Sequence, residues 1–142
     1  MALARQKQGR VDRRAHIRQG NLRVHKVLAY LLFSLGLGHL AYGLRAFKAP
    51  LLAVLHDGLI GQFSQTAERR LAFWFTIFAP MLMFAGQVAL HAVARGDTAL
   101  FRLVAAWVFV TALMGFAAFP RSPFAAALLL SFGLLAAGQD WI

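Results

Sequence analysis

Cysteine is absent from the 142 residues. That excludes disulfides, thiolate zinc sites, haem attachment through a C-x-x-C-H run and a cysteine nucleophile, and it leaves the redox compartment unread. Acidic residues are scarce, with five Asp and Glu against fifteen Lys and Arg and a formal charge of +10. Charged residues of all kinds make up only 14% of the chain, while 60% is hydrophobic. A soluble globular domain is about a quarter charged and about half apolar. No Ser or Thr precedes Ser34, so the basic N-terminal stretch lacks the hydroxyl residues of a transit peptide. Nor does it read as a signal peptide: the apolar run that follows it is too long, begins too late and leads to no small-residue cleavage site.

The apolar residues gather into runs. A run of about 18 or more residues with almost no charge is long enough to cross the hydrocarbon as a helix. Four runs qualify: 27–44, 71–94, 103–119 and 124–142. Pro80 falls inside the second, where neighbouring helices can satisfy the freed carbonyl. Between the first two, residues 49–63 carry Pro50 and a helical spacing of Leu51, Leu52, Leu55 and Leu59, but His56, Asp57 and Gly58 interrupt them. This segment is too short and too polar to cross, and is expected to be a short interfacial helix. Arg95-Gly96-Asp97-Thr98 and Pro120-Arg121-Ser122-Pro123 read as tight turns: Gly at a helix end, Asp97 or Thr98 as the next cap, Ser122 as a cap and Pro123 at a first helical position. Gln139, Asp140 and Trp141 close the last run at interfacial depth.

The expected fold is therefore all-α: a polytopic membrane protein, an antiparallel bundle of four transmembrane helices spanning 27–142, preceded by a basic arm over 1–26. Gly9 and the Gly20-Asn21 pair punctuate that arm. It carries eight Lys and Arg against Asp12 alone, which is +7 of the +10. Topology control and attraction to anionic headgroups, at about 1 kcal/mol per basic residue, account for it. Nucleic-acid binding would need an ordered domain or interleaved aromatics, and none precedes Tyr30. The arm places the N-terminus inside, and four spans return the C-terminus to the same side. The loops disagree, since 45–70 has four Lys and Arg and 95–102 has two; the arm outweighs them because it is dense and adjoins the first span.

Inward of the interfacial Asp140, the hydrocarbon stretches hold no Asp, Glu, Lys or Arg, and their histidines are His39 and, near a helix end, His91. Coupled transporters keep buried charges for function, so their absence argues against the third expectation, a transporter or channel unit. Gly36, His39 and Gly43 share one face of the first span, the spacing at which small residues let helices approach and a polar side chain bonds across the contact. Thr76, Pro80, Met83, Gln87 and His91 form a stripe on the second span. Trp107, Thr111 and Gly115 form one on the third, and Ser131 stands alone on the fourth. Two readings follow. In one, His39 is a satisfied packing residue, with Gly36, Gly43, Gly86 and Gly115 as close-approach positions. In the other, His39, Gln87, Thr76, Trp107 and Thr111 line a narrow pocket for a quinone or similar apolar ligand. Haem between His39 and His91 is disfavoured, because their depths differ by about 13 Å at 1.5 Å per residue. His56 and Asp57 are adjacent and diverge by about 100° on a helix, which argues against a dyad. Arg69, Arg70 and Trp74 read as an interface anchor, with charge at the headgroups and aromatics beneath.

Gly36-Leu37-Gly38-His39 in the first span, Asp57-Gly58 in the loop, Arg70-Leu71-Ala72-Phe73-Trp74-Phe75 opening the second span and Gly86 beyond it resemble a family of uncharacterised small bacterial four-helix membrane proteins, distantly similar to the DoxX-like group. The resemblance covers about residues 27–135, and the basic arm departs from it. It implies a four-helix protein of the bacterial cytoplasmic membrane. Some DoxX-like proteins are linked to quinone-dependent sulfur oxidation, but this chain has no cysteine and no catalytic residue carries over. The expected function is a non-catalytic accessory subunit or interaction protein without a cofactor or a metal, embedded in lipid and assembled with a protein partner or with further copies of itself. The alternative is a redox-linked protein binding a quinone near His39.

Overall fold

The computed structural model describes residues 2–120, 124–139 and 141–142, with side chains from residue 21 onward. Among these residues the chain is all-helical. It runs α1 (Ala2–Ala46), α2 (Lys48–Asp57), a 3-10 turn (Gln62–Ser64), α3 (Ala67–Arg95), α4 (Thr98–Ala118) and α5 (Phe124–Gly138). Three stretches, Asn21–Ala46, Ala67–Arg95 and Thr98–Ala118, are long and apolar enough to cross a membrane. The run expected over 124–142 becomes a helix of 15 residues ending at Gly138. That is about 22 Å, short of the roughly 30 Å hydrocarbon. Ser122 and Pro123, assigned to its start, and Asp140, assigned to its end, lie outside the described residues.

The boundaries follow local chemistry. Helix α1 runs unbroken through Gly20 and Asn21, where the sequence suggested punctuation. Each costs less than about 1 kcal/mol in a helix interior, and no proline occurs before Pro50 to remove a ladder bond. Phe47 bends the chain but keeps the ladder, as its N–H bonds the Gly43 carbonyl and its carbonyl accepts from Leu51. Pro50 sits in the first turn of α2, where no intrahelical donor is needed. Gly58 ends α2 at φ 89, so Asp57-Gly58 is a helix end, as its composition suggests. Thr66 caps α3, its hydroxyl oxygen accepting from the Arg69 N–H at 3.2 Å.

The described chain forms two compact units. One, residues 30–88, contains most of the apolar part of α1, then α2, the 3-10 turn and the first three-quarters of α3. Leu32, Gly36 and Gly43 of α1 are buried, as are Ala72, Ala79 and Gly86 of α3. A Cβ built on Gly36 would lie 2.8 Å from the Met83 amide nitrogen, and one on Gly86 would lie 2.6 Å from that of Phe33. The two helices are therefore antiparallel with backbones in near contact. The other unit comprises residues 1–29 and 89–142. Here α4 and α5 form an antiparallel hairpin: Phe124 packs over Gly115, Phe109 meets Phe132 edge-on at 5.0 Å, and the Arg102 guanidinium bonds the Gly138 carbonyl.

Packing runs opposite to that of a soluble protein. Among the described residues, eight of the twelve buried apolar ones are alanines, while Trp74, Trp107, Met114 and Leu129 are each about two-thirds or more exposed. Helices in lipid gain nothing by hiding large apolar side chains from one another, so small residues take the contacts. This is the build of a membrane protein.

Candidate functional site

Within residues 30–88, one heptad-like ridge of α1 faces α3. His39 stands on it between Gly36 and Gly43, at i−3 and i+4. Its Nε2–H donates to the Phe75 carbonyl across the helix contact at 3.1 Å. A carbonyl only accepts, so Nε2 carries the proton in the neutral ring. The imidazole also stacks on the Phe75 ring, with centroids 4.1 Å apart at 12°, and meets Phe78 edge-on at 5.7 Å. Phe75 is further flanked by Tyr42 at 5.8 Å and Phe47 at 5.2 Å. Gly43 makes the approach possible, since a Cβ there would lie 2.9 Å from the Phe75 ring.

Thr76 adjoins this cluster. Its Oγ1 is buried without a hydrogen-bond partner. Pro80, four residues on, offers no N–H to the Thr76 carbonyl. An unmet buried hydroxyl costs about 1–3 kcal/mol, so Thr76 is the least satisfied polar group at this contact.

Of the residues read as pocket-lining, the structure brings His39 and Thr76 together. Gln87 is exposed on α3. Trp107 and Thr111 belong to the other unit; both are exposed, and the Thr111 hydroxyl donates back to the Trp107 carbonyl at 2.8 Å. The stripe Thr76, Pro80, Met83, Gln87, His91 is divided: Thr76 and Met83 lie at the contact with Ala72, Ala79 and Gly86, while Pro80, Gln87 and His91 are exposed. Small residues at seven-residue spacing were the better guide, because contact in lipid selects size before polarity. Gly36 lies against Met83 and Ala79, Gly86 against Phe33, and Gly115 against Phe124.

Arg69 and Arg70 are engaged within the protein. Arg69 donates to Asp57 Oδ2 at 2.6 Å and to Gln62 Oε1 at 3.3 Å, and Arg70 to the Ser64 carbonyl at 3.3 Å. They tie the 58–66 connection to the start of α3, with Trp74 exposed beneath. Contrary to the divergence expected of neighbours on a helix, His56 Nδ1 lies 3.1 Å from Asp57 Oδ1. Asp57 is the last residue of α2, where the chain leaves helical geometry and the two side chains can turn toward each other. The Arg69 guanidinium, and after it the His56 ring, hold the Asp57 carboxyl below its usual range.

Sequence reasoning missed two features. The acceptor for His39 is a backbone carbonyl, which leaves no mark in sequence. His25 is buried and continues the ridge of 29, 32, 36, 39 and 43 at steps of four and three, a spacing that could have found it.

Residues 23–141 match the model of a family described as a family of unknown function (DUF6463). The chain belongs to that family. No curated protein and no solved structure matches it.

Proposed function

We propose that the protein is a non-catalytic accessory or interaction subunit of the bacterial cytoplasmic membrane, distantly akin to the DoxX-like group. In this reading four helices cross as an antiparallel bundle, α5 being the shortest, and both termini lie inside. The basic arm meets anionic headgroups, and the exposed faces of α3 and α4 meet lipid, a protein partner or another copy of the chain. The observation that carries this reading is the engagement of His39. The one ionisable group at mid-span donates to the Phe75 carbonyl and lies flat on the Phe75 ring, which is how a polar side chain joins two helices in lipid. His39→Ala purified in mild detergent is expected to unfold at lower denaturant with its co-purifying molecules unchanged.

The second reading, a quinone bound near His39, is favoured by the unpartnered Thr76 hydroxyl, which a ligand oxygen could satisfy. On that reading His39→Ala and Thr76→Val both lose a co-purifying quinone while the bundle stays folded.

A further inference from the structure

A separate cleft, mostly apolar with a few polar groups, lies in the unit of residues 1–29 and 89–142. Helix α3 ends in a Schellman turn: Gly96 adopts φ 67, its N–H bonds the Val93 carbonyl at 3.2 Å, and the Asp97 N–H bonds that of Ala92 at 2.9 Å. Asp97 then caps α4, its Oδ1 accepting from the Leu100 N–H at 2.9 Å. A connection this short between two apolar helices of 29 and 21 residues lies at a bilayer surface.

Beside the turn is a cleft of about 160 Å³ whose walls include Asn21, His25, Val93, Asp97, Thr98 and Phe101. His25 is only 7% exposed. Its Nδ1–H donates to the Asn21 carbonyl one turn earlier, and its ring lies 4.7 Å from that of Phe101 at 57°. With Nδ1 donating, Nε2 of the neutral ring holds the lone pair, and among the described residues nothing hydrogen-bonds it. Asp97 Oδ2 likewise has no partner among the described residues, although the chain carries fifteen Lys and Arg. The mainly apolar cleft thus has two unused acceptors, the buried His25 Nε2 and the exposed Asp97 carboxylate, beside an aromatic ring.

We propose that this cleft binds a primary ammonium group, supplied by the headgroup of an ethanolamine lipid or by a free small amine. The Asp97 carboxylate is the counter-charge, His25 Nε2 takes one N–H, and the Phe101 ring forms the cation-facing wall. Anions are disfavoured because a carboxylate already occupies the N-terminus of α4. A quaternary ammonium has no N–H for His25. The volume suits a headgroup fragment, being close to that of a cavity that admits benzene and below the range of about 300–1,000 Å³ for larger ligands.

The test is native mass spectrometry of the full chain released from bilayers of equal ethanolamine and choline lipid. Wild type is expected to retain the ethanolamine lipid about tenfold over the choline lipid, as one charge-assisted hydrogen bond implies. Asp97→Asn keeps the cap, since Asn caps as well as Asp, and is expected to lose the preference at an unchanged unfolding temperature. Millimolar ethanolamine added to the sample displaces the lipid if the free amine is the natural occupant, and leaves it if the acyl chains are part of recognition. Equal retention of the two lipids with no binding of free ethanolamine, or a preference that survives in Asp97→Asn, overturns the proposal.

Discussion

At the scale of single residues, His39 and Asp57 do similar work in different media. His39 joins α1 to α3 in an apolar setting through a hydrogen bond to the Phe75 carbonyl and a stacked ring. Interhelical hydrogen bonds in membranes average about 0.6 kcal/mol, and aromatic pairs add about 0.5–1.5 kcal/mol. His39→Ala should therefore lower unfolding stability in detergent by about 1–3 kcal/mol once lost packing is included, whereas His39→Phe keeps a ring against Phe75 and should lose about 1 kcal/mol or less. In the Asp57–Arg69 pair the carboxylate is exposed, so acid is the way to weaken it. The folded carboxyl titrates below the ordinary 3.8. Its contribution is therefore complete above that value and disappears as pH falls through the depressed one. Amide protection factors across residues 58–66, taken relative to intrinsic exchange at each pH, should be unchanged by this group from about pH 7 to 5 and should fall only below about pH 4. The ridge bearing His39 was legible because small residues flank it at i−3 and i+4. Its partner was not, because every residue has a carbonyl.

At the scale of elements, two glycines of similar appearance in sequence have opposite roles. Gly38 of α1 has open space where a Cβ would stand, whereas a Cβ on Gly86 of α3 would lie 2.6–2.8 Å from the backbone and Cβ of Phe33. Gly38→Ala should stabilise the protein by up to about 1 kcal/mol through helix propensity. Gly86→Ala should destabilise it by about 1–3 kcal/mol by forcing the helices apart. Denaturant titration of both variants in the same detergent tests the pair. Helix existence was legible from the apolar runs, and the capping of α4 by Asp97 from one tetrapeptide. The phase of α3 was legible only in part: Thr76 and Met83 lie on the inward face with Ala79 and Gly86, whereas Pro80, Gln87 and His91 point away from it. In a membrane interior, small residues mark the contact face more surely than polar ones.

At the scale of the whole molecule, the exposed aromatic and aliphatic residues and the alanine-lined contacts identify a membrane protein without saying how many times it crosses. The chain has no cysteine, so single cysteines can report sidedness directly. If four helices cross with both termini inside, a cysteine at Ser64 reacts with an impermeant thiol reagent in intact cells. One at Thr98 reacts only after permeabilisation, and one at Gln139 behaves like Thr98. Labelling of Gln139 from outside would mean that α5 does not cross. The most direct test of the central claim, that His39 serves helix packing and the protein acts through what it assembles with, is mass spectrometry of wild-type protein purified in mild detergent, covering both small molecules and intact complexes. Lipid together with a stoichiometric protein partner or a defined homo-oligomer is the expected result. A stoichiometric quinone or pigment that is lost in His39→Ala would contradict it and make His39 a ligand-binding residue.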